Sequence, residues 1–200
     1  MMKRFFLMFM SLCMLGLAVP VMADDVKTVE SLLKEKTEAV LKILKENDKE
    51  NDIDEQVKKN KIMEIVGPII DFELMAKLTL GKTNWGKLSE KQKTEFVSLF
   101  VERLKRSYLD KSSFYDDEKI VYKPGFLKGN KVHVPVDIIS DDKPIELLYK
   151  FYKSGRGWMA YDIEINGVSL IKSYQAQFTE VLKSGTAEDL LISLKKPVEN

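Results

Sequence analysis

The sequence predicts an α+β fold: a curved four-stranded antiparallel sheet, packed on one face by several helices and enclosing an apolar cavity. Three observations predict it. Up to about Tyr108 the apolar residues recur every three to four positions, as on one face of a helix. From Lys119 to Ile165 they alternate with polar residues, in runs separated by short turn signals. Between Trp158 and Phe178 the alternation gives way to the helical spacing across Asn166-Gly167, two residue types that tolerate positive φ.

The chain opens on Lys3 and Arg4, an uncharged apolar run from Phe5 to Val19, and small residues ending at Ala23. That pattern predicts a secretory signal peptide over 1–23 and a single mature domain over 24–200. The apolar run is short for a membrane span. Cleavage would remove Cys13, the only cysteine, so the exported chain would rely on its hydrophobic core without disulfides. It would also reduce 32 basic residues to 30 against 31 acidic ones. Lysines and acids are interleaved throughout, so no field of one sign is available to hold nucleic acid or an anionic membrane.

A first helix is expected over Val26–Asn47, with Val29, Leu32, Leu33, Val40, Ile43 and Leu44 on one stripe. Asn47-Asp48 and Asn51-Asp52 break it, and a second helix begins near Asp54 and ends at Gly67-Pro68. A third carries Ile69, Phe72, Met75, Ala76, Leu78 and Leu80 and stops at Gly81. Ser89 and Gln92 form a capping box that opens a long helix to about Tyr108. Strands follow at Ile120–Lys123, at Val132–Ile138, at Ile145–Phe151 and from Trp158. Pro135 places the second of these at an edge or a bulge, because proline cannot donate to a ladder. Asp141-Asp142-Lys143 and Gly155-Arg156-Gly157 turn the chain between strands. In the last strand Met159, Tyr161, Ile163 and Ile165 are expected on one face, with Trp158, Ala160, Asp162 and Glu164 on the other. Leu170–Ser184 is a helix closed by Gly185, Thr186 caps a last short one, and the tail from Pro197 is loose.

Catalytic equipment is sparse. The single histidine, His133, stands on a strand and reads as an exposed or edge-strand residue rather than a general base. Ser169 has no histidine near it in sequence. Asp162 and Glu164 read as solvent-side or turn-bonding groups, and no His/Cys/Asp/Glu spacing suits a metal. Apolar and aromatic side chains are abundant, and a concave sheet facing amphipathic helices suits a single apolar cavity.

Three blocks carry a resemblance: Asp71-Phe72 with Met75, Leu80-Gly81 and Trp85; Gln92 through Phe96, Phe100 and Tyr108; and Trp158–Asp162, Gly167-Val168-Ser169 and Tyr174–Phe178. In this order, over nearly all of the mature chain, they resemble the MlaC family, also called the toluene-tolerance auxiliary substrate-binding family. The last block departs from the family's Asn-Tyr-Arg, reading Ser173-Tyr174-Gln175. The resemblance implies a monomeric periplasmic carrier of phospholipid, with tails inside the fold and headgroup in water, and no cofactor. It implies two partners: an inner-membrane ABC transporter with a ring-forming lipid-binding subunit, and an outer-membrane lipoprotein–porin complex. Shuttling between them would maintain outer-membrane lipid asymmetry. The expected wall comprises Phe72, Met75, Phe96, Phe100, Leu104 and Tyr108 from the helices. From the sheet and corner it comprises Val134, Val136, Leu147, Tyr149, Phe151, Met159, Tyr161, Ile163, Val168, Leu170, Tyr174 and Phe178. Two rivals make different demands. An enzyme on a similar fold needs Asp162 or His133 to face the cavity, and an exported chaperone or scaffold needs a solid core and no ligand.

Overall fold

The structure, a computed structural model, describes residues 20–45, 55–109, 118–139 and 144–197. Most of the predicted signal peptide and the turn at Asp141-Asp142-Lys143 lie outside the described residues, as do Asn47-Asp48 and Asn51-Asp52. Helix α1 runs Pro20–Lys45 without a break at Ala23, so cleavage there would shorten the helix by its first four residues. Helix α2 (Glu55–Val66) leads through a 3₁₀ turn at Gly67–Ile69 into α3 (Phe72–Lys87). The expected stop at Gly81 is only a kink. Gly81 adopts φ 68°, open to glycine at little cost, and the helix resumes beyond it. The extra turn sets Trp85 edge-on to Phe96, with ring centroids 6.4 Å apart.

Ser89 caps α4 (Glu90–Leu104) in a reciprocal box: Gln92 N–H donates to Ser89 Oγ at 3.3 Å, and Ser89 N–H to Gln92 Oε1 at 3.0 Å. A π-helical turn, Lys105–Leu109, extends it to about the predicted end. The C-terminal helices are α5 (Leu170–Ser184) and α6 (Ala187–Lys195), the latter capped by Thr186 and Asp189.

The sheet has six strands, not four: β1 (Lys119–Tyr122), β2 (Phe126–Lys128), β3 (Lys131–Ile139), β4 (Ile145–Ser154), β5 (Gly157–Ile165) and β6 (Val168–Ser169). The two missed strands have three and two residues, too few to show a period. The order is β1-β3-β4-β5-β6, and β2 shares the β1 edge of β3. All these pairings are antiparallel. Pro135 is therefore in an interior strand. Its carbonyl accepts from Lys123 N–H at 3.1 Å, so its nitrogen faces the same side, where β1 ends and β2 has not begun. The ladder loses nothing by the missing donor. At that break Gly125 lies against α1: a Cβ there would sit 3.1 Å from Glu30 Oε1 and 3.2 Å from His133 O. Asn166 (φ 49°) and Gly167 (φ 78°) close the β5–β6 hairpin in two left-handed residues.

The alternation predicted for β5 fails in the middle of the strand. Opposite Lys150 and Phe151 of β4 the register slips, because Asp162 pairs with Lys150 but Ala160 pairs with Phe151. Tyr161 is the extra residue of a β-bulge, and the bulge reverses the parity on one side of it. Trp158 and Ala160 therefore share a face with Ile163 and Ile165, while Met159 lies with Asp162 and Glu164.

Two apolar cores result. One is wholly helical and joins α3, α4, α5 and α6 through Met75, Leu80, Phe96, Phe100, Leu104, Tyr174, Phe178 and Leu190. The other lies between α1 and one sheet face, and joins Val29 and Leu33 to Val132, Val134, Val136, Phe151 and Ala160. The two bodies meet where α3 and α5 touch β5.

Candidate functional site

The sheet face beneath α1 is the candidate binding surface. Cross-strand register places Val134, Tyr149 and Ile163 in one row, and Val136, Leu147 and Ile165 in the next. Tyr122 of β1 stands opposite Val136 and extends the second row. Val132, Phe151 and Ala160 make a third row at the other end, under the N-terminal half of α1. Burial falls along the strands. Val132 and Phe151 are fully buried, Leu147, Ile163 and Ile165 are half-buried, and Ile145 and Val168 at the end are exposed. Along α1 itself a shallow, open hollow of about 430 Å³ is lined, among the described residues, by Glu38, Leu41, Lys42 and Lys45.

Two phenols stand on this face. Burial, with Tyr122 close by, pushes the Tyr149 hydroxyl up to about 12. Tyr122 is also raised, chiefly by burial and in part by Glu38, against the lowering effect of a side-chain hydrogen bond with Thr37.

The opposite face of the same strands is polar and tied down. Asp162, expected as a solvent-side or turn-bonding group, is 5% exposed. It accepts from Lys150 Nζ at 2.9 Å, Ser169 Oγ at 2.8 Å and Ile171 N–H at 3.2 Å. Lys150 also bonds Glu164. Burial lowers the Lys150 ammonium, but hydrogen bonds to Glu164 and Asp162 outweigh it and hold the pKa above its usual value. The bulge is what turns Asp162 into this position beside Lys150 and the start of α5. The Ser169 hydroxyl, besides bonding Asp162, caps α5 by accepting from Lys172 N–H at 3.2 Å. His133, expected exposed or at an edge, is 4% exposed in a strand flanked on both sides, with the Phe126 ring 5.4 Å away. A second polar joint forms at Asp71, which caps α3 through Leu74 N–H at 3.0 Å and accepts from the Tyr152 hydroxyl. Among the described residues no group of His, Cys, Asp and Glu is arranged to hold a metal ion, and no helix is long and apolar enough to cross a membrane.

The structure divides the predicted wall residues. Val134, Val136, Leu147, Tyr149, Phe151 and Ile163 come together on the sheet face below α1. Met75, Phe96, Phe100, Leu104, Tyr174 and Phe178 come together elsewhere, in the helical core, where Phe72 packs against them. Their rings are in close edge-on contact, Phe96–Phe178 at 5.5 Å and Phe100–Tyr174 at 5.3 Å. Leu170 is buried at the start of α5. Met159 and Tyr161 lie on the far sheet face, where Tyr161 meets Tyr152 and Lys131 Nζ. Tyr108 and Val168 are exposed. Sequence reasoning left out Tyr122, Val132 and Trp158, and left out α1 as a cover. Ile120 and Tyr122 carried a strand alternation and Val29, Leu33 and Leu41 a helical stripe, so the signal was present. The pairing of the two surfaces was not.

Two comparisons bear on this arrangement. The family model described as MlaC protein matches residues 34–196. The fold is similar to that of a phospholipid-binding protein from Ralstonia solanacearum solved in complex with a phospholipid. The TM-score is 0.74 and the identity 24%, over 82% of this chain and 93% of that one.

Proposed function

We propose, from the premise that this chain belongs to the MlaC family, that it binds phospholipid and carries it across the periplasm. The observation that carries the reading is the sheet face under α1. It presents valine, leucine, isoleucine and tyrosine in continuous rows, with Lys150, Asp162, Glu164 and His133 of the same strands turned to the other face. A surface of that kind can shelter acyl chains, and the acids and bases of these rows among the described residues, Lys150, Asp162, Glu164 and His133, turn away from them, which favours a carrier over an enzyme. Asp162 and His133, which the enzymatic alternative needs in the cavity, stand on the side away from it.

The need for such a cover is large. At ~0.8 kcal/mol per CH₂, two acyl chains with roughly thirty such groups cost on the order of 20 kcal/mol to leave in water. A protein that excludes water from the tails removes that barrier without any chemical step. The predicted export signal supports a periplasmic location. In this reading the tails lie between α1 and the sheet, and the headgroup stays at the open end by Ile145 and Val168. The protein exchanges its lipid with an inner-membrane ABC transporter at one end of its path and an outer-membrane lipoprotein–porin complex at the other, and so preserves outer-membrane asymmetry.

Native mass spectrometry of protein purified from the periplasm without detergent tests the reading. One phospholipid per chain is expected. Leu147→Glu, which puts a charge among the half-buried rows, is expected to lose the lipid while keeping the wild-type circular dichroism spectrum. A wild-type protein that is always empty, and takes up no lipid from vesicles, would reject the carrier and favour a scaffold.

A further inference from the structure

We propose that the second half of α1 is a hinged flap, which lifts off the sheet beyond Leu33 to admit the acyl chains and closes over them with Val40 and Leu44. The inference rests on the phospholipid reading above and adds the route by which the lipid enters. Val26, Val29, Leu33, Thr37, Val40 and Leu44 follow one another along α1 at three- and four-residue spacing, on one stripe of the helix. The two ends of that stripe are held very differently. Val29 and Leu33 are fully buried and belong to the core beneath the helix. Two polar ties pin the same half: Glu30 Oε1 accepts from Gly125 N–H at 2.6 Å, and Asp25 accepts from Lys153 Nζ at 3.1 Å. Gly125 approaches so closely that a Cβ there would lie 3.2 Å from Val26 Cγ1. All of these residues follow the predicted cleavage point after Ala23 and remain in the mature chain.

Past Leu33 the hold weakens. Thr37 puts a hydroxyl in the middle of the stripe, and it makes a side-chain hydrogen bond with the Tyr122 phenol of β1. Val40 and Leu44 follow, half-buried, and among the described residues they belong to neither apolar core. The sheet mirrors the change. Ile138, Ile163 and Ile165 share the face of Val136, Tyr149 and Leu147, and they too are half-buried and outside both cores. Both surfaces therefore keep apolar side chains that the empty fold covers incompletely, at the end of the sheet where burial falls away. A helix in a protein takes most of its stability from the face it packs, so the half that packs poorly opens first. Acyl chains laid between Val40, Leu44 and these isoleucines complete the burial on both sides. The Thr37–Tyr122 bond, at the junction of the pinned half and the loose one, then acts as the latch.

Cleavage after Ala23 leaves no cysteine, so cysteine pairs can be introduced and joined by a short cross-linker that itself contains a disulfide. In the empty mature protein, Thr37→Cys with Tyr122→Cys ties the flap down, and Asp25→Cys with Lys153→Cys ties the half that is already pinned. Each variant is compared with itself before cross-linking, in uptake of phosphatidylethanolamine from vesicles. The first tether is expected to slow uptake by roughly tenfold or more, and cutting the linker to restore it. The second is expected to leave the rate unchanged. Thr37→Val, which removes the latch, is expected to raise the uptake and release rates together, by about two- to tenfold, and to leave the affinity where it was. Uptake at the untethered rate with the first tether in place would overturn the flap and leave the carrier standing, as would equal slowing by both tethers. A wild-type protein that takes up no lipid would overturn the carrier reading and this inference with it.

Discussion

His133 shows how a single side chain can make stability depend on pH in a protein with little net charge. It is buried, its Nε2 has no partner, and burial followed by Lys150 and Lys128 lowers its pKa, with Lys131 acting the same way and Glu164 opposing. A group whose protonated form is disfavoured in the folded state takes up its proton more readily when the chain unfolds. Stability is therefore full above the unfolded value of about 6.5 and falls as pH drops below it. Urea midpoints measured between pH 7.5 and 5 should decline for the wild type and decline less for His133→Gln. An equal slope in both proteins would place the acid sensitivity elsewhere. This residue was misread because strand membership alone does not say how many neighbours a strand has. Two strands of three and two residues were invisible to any periodicity, and one of them, β2, is what buries His133 behind Phe126.

At the scale of elements, the bulge at Tyr161 and the joint it creates matter most. Asp162 holds Lys150 from β4, Ser169 from β6 and the first turn of α5. Asp162→Ala would leave the Lys150 ammonium, whose side chain is 13% exposed, with Glu164 alone, and would release the start of α5. Breaking a buried pair from one side costs roughly 3–5 kcal/mol. A loss of that size is expected in chemical denaturation. Asp162→Asn, which keeps one acceptor oxygen for Ile171 N–H, should lose less. Most elements could be placed from the sequence because capping boxes, turn glycines and the helical stripe are local signals. The faces of β5 could not. A bulge inserts one residue without changing the composition of the strand, so the alternation Met159-Tyr161-Ile163 looked unbroken although the chain had slipped between its second and third members. The shared face of Val134, Val136, Leu147, Tyr149 and Phe151 could be read from parity in β3 and β4, which pair without a bulge.

The whole molecule has two apolar interiors of different character. One is a closed cluster of rings and leucines shared by α3 to α6, built from segments before and after the sheet in sequence. The other lies beneath α1, opens towards the ends of β4 and β5, and holds the candidate site. The sequence showed how many apolar residues there were but not that they would divide, since a stripe on a helix does not name its partner. The division predicts uneven protection in hydrogen exchange. Amides of α4 and α5 should exchange equally slowly in empty and lipid-loaded protein. Amides of α1 and the middle of β3 and β4 should slow several-fold on loading. Uniform slowing across both regions would show that the interiors act as one. Because Asp71 and Asp162 join the two bodies through directional polar bonds to β4 and β5, the frame that remembers the molecule's shape is separate from the compartment that the proposed lipid would enter and leave. On the proposed carrier function, each delivery would disturb only half of the structure, and the protein could make many journeys without having to refold between them.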